Sequence, residues 1–249
     1  MAAPRVVVRR GGNLADFDRV EQLPSLRTDP SGVPGAPEPW TKAQRRQLAA
    51  LATQLDLPAR TVIYREGTTA GWVYIGAEGV VKVFRDLRRG LRQIYAFWFP
   101  EDIFGLAEQG KYIYSGQAVT PVRLFRIPVD TLQPALLNDA RLQFHFLAKA
   151  AHEYREAQRQ KIAMTRGDTV VKIATFISML DRRGADGNGS KTIATPMSHS
   201  DMANYLGITQ EATGRAFSEL RRRRIIALPD RHTVRIVDRA KFDRLVGEM

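Results

Sequence analysis

The chain has 249 residues, enough for two domains with separate hydrophobic cores, and a formal net charge of +12. It contains no cysteine, which excludes disulfides, thiolate-held iron–sulfur clusters, cysteine-ligated zinc and cysteine nucleophiles. The charge favours a polyanionic partner, and nucleic acid and an anionic membrane surface both fit that description. No apolar run approaches the roughly 18 residues of a membrane span, and MAAPRVVVRRGG is not a secretory signal, so we expect a cytoplasmic protein with no membrane partner.

The first stretch of the chain, residues 1–38, is rich in proline, glycine and charged residues and ends in TDPSGVPGAPEP. Nothing in it repeats at a helical or strand period, so it predicts a flexible N-terminal arm. We interpret its basic residues as part of a disordered or over-extended start rather than as a nucleic-acid contact.

The next stretch changes from a helical to a strand period. Thr41 is placed to cap an amphipathic helix that runs to about Leu55. The apolar face of that helix carries Leu48, Leu51 and Leu55. Over residues 58–134 there follow the short β-rich runs TVIY, GWVYIG, GVVKVF, RQIYAFWF, GQAVT and VRLFRI. Strands at this spacing, with glycine at the corners, predict an antiparallel barrel or roll.

One long helix is predicted over residues 135–166, because nothing between about Ala135 and Met164 breaks a helix. A stripe at 3–4–3–4–3 spacing runs along it, formed by Phe144, Leu147, Ala151, Tyr154, Gln158 and Lys161. We interpret the stripe as a homodimer seam, with packing against the roll as the alternative. A second helix is predicted over about residues 168–180, ending at the loop RRGADGNGS. Its apolar face is formed by Val170, Ile173, Ala174, Ile177 and Leu180.

A short capped helix and a glycine turn follow this loop. Ser198 is predicted to cap a helix whose inward residues are Met202, Ala203 and Leu206. Ala203 is small, as two closely crossing helices require at their contact. Gly207 then supplies the turn, where a left-handed backbone costs a glycine least.

A polar second helix comes next. Ile208 is expected to pack inward and Thr209 to cap a helix that runs through Arg223. Its predicted buried stripe is Ala212, Ala216 and Leu220. Its outward side carries Gln210, Glu211, Gly214, Arg215 and Ser218. Such a helix has the length and polarity to enter a major groove. Strands over residues 225–228 and 233–237, joined across PDRH, complete a predicted winged helix-turn-helix that binds double-stranded DNA sequence-specifically.

The chain resembles the CRP/FNR family of bacterial transcription regulators over about residues 40–245. The matching features come in family order: Glu66–Gly67, Gly79–Val80, the FPEDIFG corner, the long helix and the stretch MSHSDMANYLGITQEATGRAFSEL. The stretches RRGLRQIYAFWFPEDIFGL and YLGITQEATGRAFSELRRRRIIALP are most similar to the FixK group.

The resemblance implies an α+β fold. It consists of an N-terminal antiparallel β-roll of the cyclic-nucleotide-binding, jelly-roll type, a long dimerisation helix and a C-terminal winged helix-turn-helix. The expected domains are the flexible arm over 1–38, the effector-like β-roll over 39–134, the dimerisation helix over 135–166 and the DNA-binding domain over 167–249.

The family's DNA-binding signature assigns roles to five residues of this chain. By the resemblance, Glu211 and Arg215 occupy the two positions that read the G·C pair of a TGA half-site. Their chemistry agrees, because a carboxylate accepts from cytosine N4 and a guanidinium binds guanine O6 and N7. A surface ion pair between the two is the alternative. Gln210 is expected to contact adenine or phosphate, and Thr209 and Ser200 match positions that hold phosphates.

Two further features of the second helix bear on DNA contact. Gly214 differs from the serine of FNR-type members and agrees with CRP-type members, which leaves the outermost base of the half-site open. The run from Arg221 to Arg224 suits the C-terminal dipole of a helix. We expect most of its side chains to be solvated, with one or two reaching the DNA backbone.

The roll departs from its nucleotide-binding relatives at two positions. In cyclic-AMP-binding members, a glutamate of a GEL corner holds the ribose and an arginine of an Arg-Ser/Thr-Ala element holds the phosphate. The corresponding stretches here read GLA at 105–107 and YSG at 114–116, with Leu106 for the acid and Tyr114 for the base. A buried phosphate would then cost several kcal/mol, so we expect no cyclic nucleotide and no cofactor.

The leading hypothesis is an activator that binds a palindromic TTGA-N6-TCAA-like site as a homodimer and contacts RNA polymerase. The resemblance to FixK-type members implies action without a small-molecule effector, in microaerobic or nitrogen-fixation-linked control. The alternative is a ligand-gated regulator whose roll binds an unidentified small molecule. His145 and His152, two turns apart, keep haem among the ligands to test.

The sequence has no catalytic triad, no metal-spaced cluster and no phosphate loop, so we expect no enzyme.

Overall fold

The computed structural model describes residues 7–9, 42–87, 90–144, 146–148, 151, 154, 158, 167–183 and 192–247. These residues divide into two compact units, Met1–Asp86 with Tyr95–Arg155 and Leu87–Ile94 with Glu156–Met249. Within the described ranges, no helix combines the length and low polarity needed to cross a membrane.

The N-terminal half of the chain is mainly β. Its strands are β1 Val7–Arg9, β2 Thr53–Leu57, β3 Val62–Tyr64, β4 Trp72–Glu78, β5 Val81–Asp86, β6 Arg92–Trp98, β7 Ile103–Phe104, β8 Ala107–Glu108, β9 Lys111–Tyr112, β10 Ser115–Ala118 and β11 Val122–Pro128. Its helices are α1 Lys42–Leu51 and α2 Val129–Asn138. The six strands predicted from the sequence are all present, which confirms the antiparallel roll; β1, β2 and the two-residue strands β7, β8 and β9 were not predicted.

Two sheets form the roll, in the orders β1-β2-β11-β4-β7 and β3-β10-β5-β6, with β8 and β9 as a separate pair. The strand β11 lies at the centre of the larger sheet, where Leu124 is opposite Leu55 of β2 and Gly76 of β4. Alternate side chains of β11 point to opposite faces of this sheet. One face packs against α1, α2 and the residues that follow them, through Leu48, Phe125, Ile127, Leu132 and Leu142. The other face lines the interior of the roll.

The first helix is shorter than predicted. It ends at Leu51, and Leu55 belongs to β2 rather than to the helix. The sequence TQLDL of β2 pairs with both β1 and β11, and these pairings outweigh the helical spacing of the leucines. The expectation of a flexible arm over 1–38 is also corrected at Val7–Arg9, which form the edge strand β1 beside β2. The rest of the arm and Thr41 lie outside the described residues.

The predicted long helix is interrupted. Its expected start at residue 135 lies inside α2, and the backbone becomes extended at Asp139. Residues 140–144 and 146–148, together with 151, 154 and 158, are helical. Asp139 begins this second helical segment, because its Oδ1 accepts a hydrogen bond from the N–H of Leu142 at 2.9 Å. His145, His152 and Lys161 lie outside the described residues.

The C-terminal half contains the helices α3 Thr169–Arg183, α4 His199–Leu206, α5 Gln210–Arg222 and α6 Arg239–Gly247. Its strands β12 Ile193–Ala194, β13 Ile226–Asp230 and β14 Thr233–Ile236 form one sheet in the order β12-β14-β13. The carboxylate of Asp168 begins α3 by accepting from the N–H of Val170 and Val171. The predicted apolar face of α3 is confirmed for the buried Ile173, Ala174, Ile177 and Leu180, whereas Val170 is half-buried.

Candidate nucleic-acid interface

Hydroxyl caps begin α4 and α5, and one left-handed glycine forms the turn between them. Ser198 Oγ accepts from the N–H of Asp201 at 3.0 Å, and Thr209 Oγ1 accepts from the N–H of Ala212 at 3.1 Å. Gly207 has a φ of 65°, a left-handed conformation that is less strained for glycine than for other residues. The predictions for Ser198, Gly207 and Thr209 are therefore confirmed, and these local bonds set the direction in which α5 leaves the turn.

The inner face of α5 differs from the predicted stripe at one position. The buried residues are Thr213, Ala216, Phe217 and Leu220, and the prediction is wrong at Ala212, which is half-buried. Thr213 takes the inner position because its hydroxyl donates to the carbonyl of Thr209 at 3.1 Å, so that burial leaves no unsatisfied hydroxyl. Met202, Ala203 and Leu206 of α4 are buried as predicted.

The opposite face of α5 is polar and open. Gln210, Glu211, Arg215 and Ser218 are exposed, as predicted. Gly214 is half-buried, and a Cβ built on it would meet no atom within 4 Å. The outward face therefore has room at its centre as well as polar side chains at its edges.

Glu211 and Arg215 lie one helical turn apart on this face. The pKa of Glu211 is lowered, first by the bond from its own backbone N–H, then by the bond from the Thr209 hydroxyl, and less by the charge of Arg215. Glu211 is therefore a carboxylate at neutral pH and accepts hydrogen bonds only. No ion pair joins the two side chains, so the arrangement differs from the surface ion pair that the sequence left open.

An open groove with a volume of about 810 Å³ lies beside the outward face of α5. Its lining includes Gly214, Arg215 and Arg222 of α5, His199 of α4 and Thr169 and Val170 of α3. The groove thus brings together the helix that would read DNA and the first residues of two other helices.

Two of the arginines at the end of α5 form ion pairs with one carboxylate. Glu219 binds a guanidinium nitrogen of Arg222 and one of Arg223, each at 2.7 Å. These two bonds lower the pKa of Glu219 to about 2. Arg221 to Arg224 are all exposed, as expected, but Arg222 and Arg223 are held by Glu219 rather than simply solvated.

The wing is organised by Asp230 at the turn between β13 and β14. Its carboxylate accepts from the backbone N–H of His232 at 2.7 Å and from the hydroxyl of Thr233 at 2.8 Å. The same bonds lower the pKa of Asp230, the one from the His232 N–H most. The predicted hairpin is confirmed, and Arg231 and His232 are exposed at its tip.

Comparison with known proteins assigns both halves of the chain. Residues 171–245 match the Crp-like helix-turn-helix domain, and residues 54–139 match the cyclic nucleotide-binding domain. The nitrogen fixation regulation protein FixK of Azorhizobium caulinodans is 30% identical over 200 residues, which cover 80% of this chain and 81% of that protein. The chain belongs to the CRP/FNR family of transcription regulators.

Other relatives agree with this assignment. The transcriptional activatory protein AadR of Rhodopseudomonas palustris is 29% identical over 210 residues, covering 82% of this chain and 86% of that protein. The structure of FixK2 from Bradyrhizobium japonicum superposes with a TM-score of 0.72 at 29% identity, covering 78% of this chain and 96% of that one. The protein is thus a DNA-binding transcription regulator with the predicted α+β fold, from a family of regulators and not of enzymes.

The sequence did not single out His199, which lines the groove beside α5. The ring of His199 stacks on that of Phe217, with centroids 5.1 Å apart and an angle of 7° between the planes. His199 follows the cap Ser198 and precedes the exposed Ser200, to which the family pattern gives a phosphate. Its position between Ser198 and Ser200 could have indicated a role for His199. The stacking could not be predicted, because Phe217 lies on the next helix.

The interior of the roll is filled by aromatic rings. Tyr64 stacks on Tyr112 with centroids 4.3 Å apart and on Tyr74 at 5.5 Å, and Tyr74 stacks on Phe104 at 5.4 Å. Burial raises the pKa of Tyr64 and Tyr74 above the ordinary value, and Tyr112 adds to both shifts. These rings form one apolar cluster, which we call the tyrosine cluster (Tyr64, Tyr74, Phe104 and Tyr112).

The two segments that hold the nucleotide in cyclic-AMP-binding relatives both touch this cluster. A Cβ on Gly105 would lie 2.7 Å from the ring of Tyr74, and one on Gly116 would lie 2.7 Å from the ring of Tyr64. Leu106, in the place of the acid, is exposed, and Tyr114, in the place of the base, packs on Tyr95 with centroids 4.4 Å apart. Neither segment offers a charged group of its own at these positions.

Proposed function

We propose that this protein binds a palindromic TTGA-N6-TCAA-like duplex as a homodimer and activates transcription through RNA polymerase, without a cyclic nucleotide. The outward face of α5 carries the proposal, because it presents an ionised Glu211 and an exposed Arg215 one turn apart with no ion pair between them. Arg215 is therefore available to bases, and Glu211 becomes available when it turns away from the Thr209 hydroxyl.

The chemistry of the two side chains suits a G·C pair. The Arg215 guanidinium donates to guanine O6 and N7, and the Glu211 carboxylate accepts from cytosine N4. Gln210, exposed at the first position of α5, adds a contact to adenine or to a phosphate. The open space above Gly214 allows the helix to approach the bases closely.

Thr209 and Ser200 are the proposed phosphate ligands. Both are exposed, and each lies at the start of a helix, where backbone N–H groups favour an anion. The Thr209 hydroxyl also bonds the carboxylate of Glu211. When Glu211 turns to cytosine, that hydroxyl is released to donate to a phosphate, so base reading and backbone contact support each other.

The homodimer is supported by the helical segment after Asp139. Phe144, Leu147 and Tyr154 are 69%, 66% and 65% exposed, and Ala151 and Gln158 are exposed as well. Their spacing is that of a coiled-coil seam. Burial of these large apolar side chains against the same stripe of a second copy removes them from water. Two recognition helices related by a dyad would then lie about 34 Å apart, one turn of DNA.

Activation and action without a nucleotide rest on different observations. AadR and the proteins Anr and FnrA of pseudomonads, which resemble this chain, are named as transcriptional activators. The tyrosine cluster occupies the interior of the roll, and Leu106 and Tyr114 replace the charged nucleotide contacts. The guanidinium of Arg85 lies over the ring of Tyr114, but it is paired with Glu66 at 2.9 Å. A cyclic phosphate would have to break that ion pair to gain a counter-charge.

Specific binding is tested with the full-length chain and a fluorescent TTGA-N6-TCAA duplex, against a scrambled duplex of the same composition. Arg215→Ala should weaken specific binding by about 1–3 kcal/mol and leave scrambled binding nearly unchanged. Arg244→Ala, which removes one exposed charge from α6, is the control and should not reduce discrimination. Equal affinity of the native chain for both duplexes would refute the proposal.

The dimer is tested by light scattering of Leu147→Glu. We expect monomers, because two charges cannot be buried in the seam without partners. Leu137→Glu is a matched control, since Leu137 is 69% exposed and lies on α2 outside the stripe. A dimer that survives Leu147→Glu, or dissociates equally with Leu137→Glu, would locate the interface elsewhere.

A ligand-gated regulator is the second candidate, because residues 54–139 match the cyclic nucleotide-binding domain. Thermal-shift screening against cyclic nucleotides, 2-oxoglutarate and haem separates the two functions. A ligand that raises the melting temperature and changes DNA affinity would establish gating. No shift, with specific DNA binding retained, supports constitutive binding.

A further inference from the structure

We propose that His199 is an additional DNA contact whose protonated imidazole binds a backbone phosphate, which makes specific binding stronger as the pH falls. The inference rests on the proposed DNA binding and adds His199 to the proposed phosphate ligands Ser200 and Thr209. His199 is exposed at the first position of α4, and it lines the same groove as Gly214 and Arg215 of the reading face.

Stacking holds the imidazole in place. Its ring lies flat on Phe217, with 5.1 Å between centroids and 7° between planes, and Phe217 itself is buried. A ring held by its face keeps the nitrogens on its edge available. Because the ring is already held, it loses less conformational entropy on binding than a free side chain does. The imidazole is therefore positioned for DNA before DNA arrives.

Charges of both signs surround His199 in and near the groove. From α5 it shares the groove with Arg215, Arg222 and Glu219. The charge of Glu219 is engaged by Arg222 and Arg223 at 2.7 Å. The residues that α3 contributes to the groove, Thr169 and Val170, carry no charge, and Asp201 lies two residues away on α4 itself. These charges balance once the carboxylate of Glu211 is counted. Arg215, which has no ion pair with Glu211, is therefore the group that draws a phosphate toward the edge of the histidine ring.

A phosphate contact of this kind couples DNA binding to proton uptake. Histidine is the residue type that changes its charge between about pH 5 and 8, and a nearby phosphate stabilises the charged form. Binding should therefore take up protons, and affinity should rise as the pH falls through this range. One more neutralised phosphate per His199 should also steepen the dependence of log K on log salt by about 0.9.

The test measures affinity of the full-length chain for the TTGA-N6-TCAA duplex at about pH 6 and about pH 8, at several salt concentrations. We expect the native chain to bind roughly ten-fold more tightly at the lower pH, with a steeper salt slope. His199→Gln should bind at both pH values as the native chain does at about pH 8. His232→Gln is the control, because His232 lies exposed at the wing tip, and it should keep the native pH dependence.

The variant His199→Arg tests the role of the positive charge independently. Arginine stays charged throughout, so this variant should bind at about pH 8 as tightly as the native chain at about pH 6. A pH dependence that survives in His199→Gln, or a His199→Arg affinity no higher than native at about pH 8, overturns the inference and leaves the proposed function standing. Failure of the native chain to prefer the duplex at either pH would instead refute the proposed function.

Discussion

In the β-roll, aromatic rings point inward and fill the space between the strands, whereas in the winged helix-turn-helix the polar side chains of α5 point outward and stay open. Both regions match their family domains. The roll keeps the shape of a nucleotide-binding domain with Leu106 and Tyr114 in the contact positions. The second region has the shape of its family domain and exposes Glu211 and Arg215, the two residues that we propose read bases. A domain match by itself shows the fold, and the function of each region has to be argued from the side chains of its site.

Three glycines of the roll contrast in the same way with the glycine of α5. Gly79, Gly105 and Gly116 of the roll are pressed against other atoms, while a side chain on Gly214 of α5 would meet open space. In the roll a missing side chain lets the protein pack against itself. On α5 it leaves room for something outside the protein. Substitutions at Gly79 and at Gly214 should therefore have opposite effects on stability.

The largest effect is expected at the tyrosine cluster. Tyr64→Ala removes a buried ring stacked on two others and should destabilise the roll by about 3–5 kcal/mol. Tyr95→Ala is the control, since Tyr95 is 43% exposed and stacks only at the surface on Tyr114, and it should cost about 1 kcal/mol. Urea unfolding followed by tryptophan fluorescence reports on the roll, because Trp72 and Trp98 lie in β4 and β6 and no tryptophan follows them. Equal costs for the two variants would mean that the cluster is not the core of the roll.

The second largest effect is expected for Gly79→Ala, which should destabilise the roll by about 3 kcal/mol. Gly79 has a φ of +81°, and a Cβ there would overlap the carbonyl of Pro121 and lie 2.7 Å from Thr120 Oγ1. Gly67→Ala separates backbone strain from overlap, because Gly67 has a φ of +77° with no atom within 4 Å of its Cβ position. The same fluorescence measurement should give about 1 kcal/mol for Gly67→Ala. A cost as small for Gly79→Ala would show that the turn can move away from the methyl group.

Gly214→Ala should stabilise the protein, whereas Gly79→Ala should destabilise it. Alanine stabilises a helix interior by about 1 kcal/mol relative to glycine, and nothing at this position opposes a methyl group. Thermal unfolding followed by circular dichroism should therefore show a more stable variant. We expect the affinity for the specific duplex to fall in the same variant, because the methyl group occupies the space where α5 approaches DNA. A variant that gains both stability and affinity would contradict this account of Gly214.

The smallest effect concerns Glu219 and depends on pH. Its pKa is about 2 in the folded chain against a model-peptide value of 4.5, owing to its bonds with Arg222 and Arg223. A lowered pKa means that the stabilisation is complete above 4.5 and is lost as the pH falls through about 2. Glu219→Gln should therefore be slightly less stable than the native chain near neutral pH, and the two should converge in strong acid. Glu211→Gln on the same helix lacks these arginine bonds and should show a smaller difference; a constant gap for Glu219→Gln at every pH would exclude the ion pairs as its cause.

Much of the recognition site could be predicted from the sequence, because its signals are local. The hydroxyls of Ser198 and Thr209 each cap a helix through a bond to a residue three positions on, and Gly207 alone provides the left-handed turn. The exposure of Glu211 and Arg215 follows from helical spacing. Their roles in base reading remain predictions, as do those of Gln210, Thr209 and Ser200.

The sequence by itself determined the six longer strands of the roll from β3 to β11, the two helices of the helix-turn-helix, their caps, the turn and the family. Each of these depends on neighbours within a few residues or on a contiguous motif. Only the tertiary structure decided the change from helix to strand before Leu55, the break at Asp139, the burial of Thr213 and the stacking of His199 on Phe217. It also decided that four rings from β3, β4, β7 and β9 fill the roll. Strand pairing and burial depend on residues distant in the chain, and they outweigh local preferences of a few tenths of a kcal/mol to about 1 kcal/mol per residue.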